Sequence, residues 1–320
     1  MTLAVCTTSH SPLMALNPPS ADIVDEVEAA FAAARTFIDD FDPELVVIFG
    51  PDHYNGLLYD LMPPFCVGYA ATGVGDYGTD SGALDVDVES AGLIAEAVLA
   101  ADVDTAVSYR LRVDHGFMQP LELLLGDVRR RPVVPIFVNC VAQPLAPMRR
   151  VRRLGEAVGK ALLPVDRRVL VVGSGGLSHD PPVPALASAE GDALRRLLGE
   201  LEMTSVQRAV RESRVLSAAQ AFTAGESGMS DLNPVWDGEF LDLLQRGDLD
   251  DVAAWSNQAV ADVAGGSAHE VRTWVAAYSA LAATGQYEMT SRYYRPIREW
   301  IAGFSITTAV TASSHGGISR

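Results

Sequence analysis

The stretch Pro43-Glu-Leu-Val-Val-Ile-Phe-Gly-Pro-Asp-His53-Tyr-Asn-Gly56 begins with a short apolar run, Leu45 to Phe49, that is rich in β-branched residues. Such a run is typical of a buried strand in a parallel sheet. A glycine and a proline end the strand, so His53 follows directly after its carboxyl end. Ligands of open α/β sheets bind beyond the carboxyl ends of the strands. His53 is therefore placed for chemistry, unless it only satisfies hydrogen bonds of the turn.

The composition is that of a globular protein with an acidic balance. The chain has 320 residues, of which 48% are hydrophobic and 20% are charged, and its formal net charge is -17. This provides ample material for a core, and the acidity argues against a nucleic-acid partner. Cys6, Cys66 and Cys140 lie in apolar runs without a CxxC motif, which indicates buried free thiols and a reducing cytoplasm. Neither a signal peptide nor a membrane-spanning run is recognisable, so we expect a cytoplasmic protein without a membrane partner.

The order of strand-like and helix-like segments predicts the fold class. Short apolar runs indicate strands, and apolar residues at helical spacing indicate helices. The predicted strands are Leu3–Thr7, Leu45–Phe49, a segment within Leu61–Ala70, Asp104–Tyr109, Val133–Cys140 and Arg168–Val172. The predicted helices of this part are Ala21–Asp40, Asp87–Ala101, Leu121–Val128 and Pro147–Leu162. This alternation predicts an α/β fold with a central, largely parallel sheet flanked by helices.

The remainder of the chain has a different pattern. Ala71–Gly82 is rich in Gly, Asp and Thr, and it is predicted to be a loop. From about Pro184 the sequence is mostly helical, with one clear helix over Ser267–Thr284 and a frayed polar tail from Thr311. Because no linker is visible, we predict one α/β domain over residues 1–320, with the helical C-terminal part packed on the sheet.

Histidines recur after the predicted strands. Four of the six histidines follow strand-like runs, namely His10, His53, His115 and His179. If the strands are parallel, all four lie at one edge of the sheet. Imidazole binds first-row metals and transfers protons near neutral pH. A mononuclear iron(II) site takes two histidines and one carboxylate, and we expect His10 and His53, from adjacent strands of one βαβ unit, to be the histidine pair.

The carboxylate of such a site would come from another part of the chain. Glu270, at the start of the helix predicted over Ser267–Thr284, is the first candidate. Ser267 and Glu270 also fit the S-x-x-E capping box, which would give Glu270 a purely structural role. Asp237 and Glu239 are the rival carboxylates.

Two aspartates directly precede histidines in the sequence. Asp52 comes before His53, and Asp114 comes before His115. Carboxylates hold the second nitrogen of many metal-bound imidazoles, which would make both aspartates supporting partners. A solvated aspartate in a turn is the alternative interpretation for each.

Several other catalytic motifs are incomplete. Gly173-Ser-Gly-Gly-Leu-Ser178 ends in serine where G-x-G-x-x-G requires glycine, and Val172 stands where a nucleophile elbow requires glycine. The sequence contains neither G-x-x-x-x-G-K-[ST] nor H-E-x-x-H. Nucleotide-dependent, serine-hydrolase and zincin functions therefore lack their motifs.

The segments around the four histidines are similar to those of one enzyme family. Ser9-His-Ser-Pro12, Gly50-Pro-Asp-His-Tyr-Asn-Gly56, Val113-Asp-His-Gly-Phe-Met-Gln-Pro120 and Gly173-Ser-Gly-Gly-Leu-Ser-His179 resemble the class III extradiol catechol dioxygenases. Further similar segments are Asp60-Leu-Met-Pro-Pro-Phe-Cys66, Leu232-Asn-Pro-Val-Trp-Asp237, His269-Glu-Val-Arg-Thr-Trp274 and Arg292-Tyr-Tyr-Arg-Pro-Ile297. The likeness spans nearly the whole chain, to about Phe304.

This resemblance implies an Fe(II) cofactor and the opening of a catechol ring by O2. It implies His10, His53 and Glu270 as metal ligands. It also implies His179 as the base that acts on the catechol and His115 as the acid, each contributing roughly 10²–10⁴-fold to the rate. The expected substrate is 3-(2,3-dihydroxyphenyl)propanoate, with its cinnamate analogue, and the expected product is a 2-hydroxy-6-oxo-dienedioate.

The carboxylate of that substrate needs a cation. Arg292, Arg295 and Arg298 lie in an aromatic and basic segment and are candidates, because arginine binds carboxylates with two N–H groups. A surface cluster paired with acidic residues is the alternative. The resemblance also predicts a homo-oligomer. Three other functions stay open at this point: a metal-dependent hydrolase on the same histidines, a dioxygenase for a differently substituted catechol, and a non-catalytic binding relative.

Overall fold

The computed structural model describes residues 2–312, which form one large and one small sheet with helices around them. The strands are β1 (Thr2–Thr8), β2 (Leu45–Gly50), β3 (Phe65–Gly68), β4 (Ala71–Val74), β5 (Ser81–Ala83), β6 (Ala106–Ser108), β7 (Leu111–Val113), β8 (Val133–Val138), β9 (Arg168–Ser174), β10 (Tyr287–Ile297) and β11 (Ala302–Thr311). The large sheet has eight strands in the order β10-β11-β1-β9-β2-β8-β3-β6.

The centre of the large sheet is parallel. β1, β9, β2 and β8 are neighbours and run in the same direction. Every residue of β2 and β8 is buried, as expected for strands that helices cover on both faces. The flanking pairs of β3 with β8, β11 with β1, and β10 with β11 are antiparallel. The predicted α/β fold with a largely parallel central sheet is confirmed.

Helices cover both faces of this sheet. They are α1 (Ala21–Phe41), α2 (Val88–Ala100), α3 (His115–Leu125), α4 (Met148–Leu162), α5 (Gly191–Leu197), α6 (Ser205–Ala224), α7 (Pro234–Arg246), α8 (Leu249–Ala253), α9 (Asn257–Ala264) and α10 (Val271–Ala282). Successive strand residues point to opposite faces. Leu3 and Val5 of β1 therefore share an apolar cluster with α2, α4 and α7 to α10, whereas Ala4 and Cys6 share one with α1, α3 and α6.

The backbones of α4 and α10 approach each other closely. A Cβ atom at Gly155 would lie 2.2 Å from the carbonyl oxygen of Ala276, and one at Gly159 would lie 2.1 Å from that of Ala280. Only glycine allows this distance. The close packing holds α10 against the sheet, and with it Glu270, the residue directly before this helix.

The C-terminal part is mostly helical from Gly191 to Ala282, as predicted, but it ends in a hairpin that the prediction lacks. β11 adds to the sheet next to β1, with Ala4 opposite Val310, and β10 forms the outer edge. Thr311, the first residue of the predicted polar tail, is the last residue of β11. Residues 313–320 of that tail lie outside the described part of the chain.

Two other local predictions differ from the structure. β4 lies within the predicted loop Ala71–Gly82 and β5 begins in it, and both form the small sheet with β7. The helix predicted from Leu121 begins at His115. The three cysteines are buried free thiols, as predicted. Among the described residues, none of the helices has the length and apolar character needed to span a membrane.

Candidate active site

Three strand ends bring three histidines together. His10 follows β1, His53 follows β2 and His179 follows β9. β9 lies between β1 and β2, so the prediction that His10 and His53 come from adjacent strands is wrong. The three meet because these parallel strands end at one edge. Their Nε2 atoms lie 3.7, 3.0 and 3.5 Å, respectively, from carboxylate oxygens of Glu270.

His115 reaches the same place from another direction. It follows β7 of the small sheet rather than a strand of the large sheet, and it is the first residue of α3. Asp114 caps this helix, because its Oδ1 atom accepts the N–H of Gly116 at 2.9 Å. The rings of His53 and His115 are stacked with their centroids 4.4 Å apart, and His10 lies edge-on to both.

The four imidazoles present the same nitrogen to the centre. Each Nδ1 atom is hydrogen bonded behind the ring, in His10 to Ser174 Oγ, in His53 to Asp114 Oδ2, in His115 to Asp76 Oδ2 and in His179 to Leu177 O. Carboxylate and carbonyl oxygens only accept hydrogen bonds, so the Nδ1 atoms of His53, His115 and His179 carry the proton. The Nε2 atoms then face the centre, where they can bind a metal ion or exchange a proton.

A proline determines how the ring of His10 is held. Pro120 lies inside α3 and has no N–H group for the carbonyl of Gly116, four residues earlier. That carbonyl accepts the hydroxyl of Ser174 instead, at 2.6 Å. The Ser174 oxygen therefore accepts the Nδ1–H of His10, at 2.9 Å. The helical hydrogen bond that α3 lacks at Pro120 thus sets the tautomer of His10, the buried histidine that follows β1.

Glu270 lies between the histidines and is only 2% exposed. Its Oε2 atom accepts the N–H of Gly176 at 2.9 Å, and its Oε1 atom lies closest to His53. The side chain of Ser267 makes no capping hydrogen bond, so the capping-box interpretation is wrong. Glu270 is the carboxylate that the structure brings to His10 and His53.

The rival carboxylates lie elsewhere. Asp237 is buried and accepts hydrogen bonds from the backbone and hydroxyl of Ser178 and from the hydroxyl of Tyr294. Glu239 is exposed on α7. Neither contacts the histidine cluster.

Two aspartates support the histidines, but they are not the predicted pair. Asp114 accepts both the backbone N–H and the Nδ1–H of His53, at 2.8 and 3.1 Å. Asp76, which the sequence did not reveal, does the same for His115, at 2.9 and 2.6 Å. Asp52 instead accepts backbone N–H groups of residues 55–57, so it is a turn aspartate.

The charges in this cluster favour a bound cation. Burial opposes ionisation of Glu270, but the surrounding histidines hold its pKa well below the usual range. The pKa of Asp114 is also below its usual range, because His53 and His115 outweigh the effect of burial. Burial lowers the pKa of His10 to about 3. Two ionised carboxylates next to a neutral imidazole form a site that attracts a positive ion.

The donor set fits a divalent metal ion. The possible ligand atoms of His10, His53 and His115 lie within 4.8 Å of one another, as do those of Asp76, Asp114 and His115. The rings of His53 and His115 are stacked in planes inclined by only 20°, so their Nε2 lone pairs lie in two separate, nearly parallel planes and do not converge on one ion at about 2 Å. The rings of His10 and His53 are inclined by 81°, which allows both to converge together with Glu270. Two histidines and one carboxylate are the donors of non-haem iron(II) oxygenases.

Comparison with known proteins agrees with this chemistry. Residues 4–305 match the family model described as the catalytic LigB subunit of aromatic ring-opening dioxygenase. The chain belongs to this family. A relative from Rhodococcus jostii (strain RHA1), named 2,3-dihydroxyphenylpropionate/2,3-dihydroxicinnamic acid 1,2-dioxygenase, is 55% identical over 97% of this chain and 99% of its own. Relatives of the same name from Mycolicibacterium vanbaalenii and Mycolicibacterium smegmatis are 57% and 53% identical, over 97% and 98% of this chain and 98% and 100% of theirs.

Family membership confirms the resemblance expected from the histidine segments. This LigB-family protein is a ring-opening dioxygenase, and the family depends on a metal. The match also favours the dioxygenase function over two functions that the sequence alone had left open, a metal-dependent hydrolase and a non-catalytic binding relative.

The dioxygenase has a cavity of about 390 Å³ above the histidine cluster. Its apolar wall consists of Pro12, Leu13, Pro181, Pro182, Val183, Pro184, Val215, Trp300, Ile301 and Ala302. The volume suits a small ligand, and the apolar wall suits an aromatic ring. Two residues of the lining, Tyr77 and Ile301, have φ angles of 48 and 52°. A β-branched residue rarely adopts this conformation, and such strain concentrates at ligand sites.

The arginines predicted to bind the substrate are not at this cavity. Arg292, Arg295 and Arg298 form ion pairs with Asp242, Glu26 and Asp231, respectively, and do not line it. Arg211 and Arg214 of α6 line it instead. In the sequence, Arg211 and Arg214 are recognisable only as a pair of arginines at helical spacing in an acidic chain, which is a weak indication of a binding site.

Proposed function

We propose that this dioxygenase is an Fe(II)-dependent extradiol enzyme that opens the ring of 3-(2,3-dihydroxyphenyl)propanoate and of its cinnamate analogue. Both atoms of O2 would enter the product, a 2-hydroxy-6-oxo-dienedioate. The observation that carries the proposal is the shared name of full-length relatives at 53–57% identity. The cluster of His10, His53 and Glu270 in an apolar cavity supports it.

The metal would be held by His10, His53 and Glu270. Iron(II) bound there would supply a Lewis acid for the catechol oxygens and a path for electrons from the ring to O2. Ser174, Asp114 and the N–H of Gly176 hold these three donors from behind, so little reorganisation is needed on binding.

His179 is suited to be the base. Its Nδ1–H donates to the neutral carbonyl oxygen of Leu177 at 2.8 Å, which leaves Nε2 as the acceptor for a catechol proton. Burial lowers the pKa of His179, but the charge of Glu270 raises it above the usual value. A dication bound to Glu270 would offset that charge and favour the neutral imidazole that a base requires.

His115 is suited to be the acid. Its Nδ1–H donates to the carboxylate of Asp76 at 2.6 Å, and this bond fixes the ring with Nε2 directed toward the cluster. An imidazolium can deliver the proton on Nε2 to an oxygen atom of the substrate. A carbonyl behind one histidine and a carboxylate behind the other thus support opposite proton-transfer roles.

Variants separate the ligands from the proton-transfer residues. We expect His10→Ala, His53→Ala and Glu270→Ala to lose bound iron(II) and activity together. We expect His115→Gln and His179→Gln to keep stoichiometric iron and to lose roughly 10²–10⁴-fold in kcat. Iron content and single-turnover rates under anaerobic loading would measure this. Full activity in either glutamine variant would refute its role, and loss of iron from both would assign them to metal binding instead.

We also propose a cytoplasmic homo-oligomer. The support for the location is that Cys6, Cys66 and Cys140 are free thiols. The support for the assembly is the resemblance to the extradiol family alone. Light scattering of the purified protein would measure the assembly, and a monomeric mass at working concentration would refute it.

A further inference from the structure

A second cavity continues from the first. Its volume is about 290 Å³, and it shares Pro184, Arg211 and Arg214 with the cavity above the histidines. Most of its wall is apolar, with Leu58, Leu197, Met203 and Val210 among the lining residues. Its charged lining residues are all arginines, namely Arg196, Arg211 and Arg214. The two cavities therefore meet at a basic group on α6.

These three arginines lack acidic partners within residues 2–312. Arg211 donates to two neutral oxygens, the carbonyl of His53 at 2.6 Å and Oδ1 of Asn55 at 3.2 Å. Nη1 of Arg196 is buried and has no acceptor in the described structure. By contrast, the half-buried Arg295 is paired with Glu26. Uncompensated guanidinium groups at a cavity junction, in a chain of net charge -17, indicate an anionic ligand.

We propose that Arg214, assisted by Arg211, binds the carboxylate on the ring substituent of the substrate. This inference rests on the proposed function, which places the catechol ring at the histidine cluster. Arg211 and Arg214 are three residues apart on α6 and therefore face the same side. Val215 and Pro181 to Pro184 line the first cavity near them and suit the aliphatic part of the substituent. A guanidinium group binds a carboxylate with two parallel hydrogen bonds.

Arg214 is the better residue to test. Arg211 is bonded to the carbonyl of His53, so its removal would also disturb a proposed metal ligand. Arg214 is exposed and makes no such bond within the described residues. A contact with the substituent carboxylate is present in both the ground state and the transition state. Its loss should therefore raise KM and leave kcat nearly unchanged.

The first experiment compares Arg214→Gln with Arg295→Gln, which removes the same charge outside the cavity. The substrates are 3-(2,3-dihydroxyphenyl)propanoate and 3-propylcatechol, which lacks the carboxylate. We expect kcat/KM of Arg214→Gln to fall about 10- to 100-fold with the propanoate and less than about 2-fold with 3-propylcatechol. Arg295→Gln should match the wild type with both. Equal losses of Arg214→Gln with both substrates, or no loss at all, would overturn the inference.

The second experiment does not depend on turnover. We expect 3-phenylpropanoate, which cannot be cleaved as a catechol, to bind wild type and Arg295→Gln with equal affinity and Arg214→Gln at least about 10-fold more weakly, by calorimetry on the iron-loaded protein. If wild type cleaves no catechol but this difference is found, the proposed function fails and the arginine site stands. If the binding of 3-phenylpropanoate does not depend on Arg214, the arginine site fails, whatever the turnover.

Discussion

Replacement of Ser174 by alanine would test how the ring of His10 is held. Ser174 Oγ lies 2.9 Å from Nδ1 of His10 and 2.6 Å from the carbonyl oxygen of Gly116. Ser174 is fully buried, so water cannot easily replace its hydroxyl. Ser174→Ala leaves one donor and one acceptor unpaired. At about 1–3 kcal/mol for each, the metal-free protein should lose about 2 to 6 kcal/mol in its free energy of unfolding.

The same substitution should weaken metal binding separately. Loss of the partner behind a metal-bound histidine commonly costs 10- to 100-fold in affinity, which is about 1.4–2.8 kcal/mol. We expect this loss for iron(II), measured anaerobically by competition with a chromophoric chelator. Denaturant unfolding of the metal-free protein would measure the stability change.

Pro120 provides a control that separates the two effects. In the double variant Ser174→Ala/Pro120→Ala, the new N–H of residue 120 can bond to the carbonyl of Gly116, as in an ordinary helix. Stability should recover by about 1 to 3 kcal/mol relative to Ser174→Ala, while iron affinity stays low because His10 is still unsupported. Wild-type iron affinity in Ser174→Ala, or recovery of affinity together with stability, would refute this explanation.

Three further predictions concern packing, charge and the metal. Gly155→Ala should destabilise the protein by about 1–3 kcal/mol or more, because its Cβ would lie 2.2 Å from the carbonyl oxygen of Ala276. As a control, Gly238→Ala should stabilise the protein by about 0.5–1 kcal/mol, because a Cβ atom there would have nothing within 4 Å. The pKa of Asp87 is lowered, because its hydrogen bond with Arg167 outweighs the effect of burial. Asp87→Asn keeps the helix cap but should cost about 0.2–1 kcal/mol at pH 7, a difference that disappears as the pH falls from about 4 through the folded-state pKa. Urea unfolding would check both, and a pH-independent effect of Asp87→Asn would contradict the second. Chelation of iron(II) should abolish O2 uptake and lower the melting temperature, and readdition should restore both; full activity after complete removal would contradict the metal site.

The sequence was sufficient to predict the centre of the fold. Runs such as Leu45–Phe49 and Val133–Val138 are apolar throughout, because parallel strands are buried on both faces. The hairpin of β10 and β11 was missed for the opposite reason. β10 is a half-exposed edge strand that contains Pro296 and mixes charged, polar and aromatic residues, so its composition suggested a binding segment.

The residues that the structure gathers around Glu270 were predictable to different degrees. His10, His53 and His179 follow strand ends, and position after a strand can be recognised in one sequence. Asp76 could not be predicted, because it lies in a short loop of the small sheet and contacts His115 39 residues later. The order of β1, β9 and β2 was also out of reach, because strand order depends on long-range pairing rather than on local pattern.

The arginines show the limit of charge patterns. Arg295 looked suitable in an aromatic segment, yet its charge is paired with Glu26 on α1. Arg214 looked ordinary on a polar helix, yet it lines the cavity. Whether an arginine has an acidic partner depends on the residues that folding brings near it. Those residues lie far from the arginine in the sequence.

The most direct test of the proposed ring opening is O2 uptake by the iron(II)-loaded protein with 3-(2,3-dihydroxyphenyl)propanoate, followed by the visible spectrum of the product. We expect equimolar consumption of O2 and catechol and a yellow product of extradiol ring opening. Absence of uptake with any 3-substituted catechol despite bound iron would contradict it, as would a colourless product of cleavage between the two hydroxyl-bearing carbons.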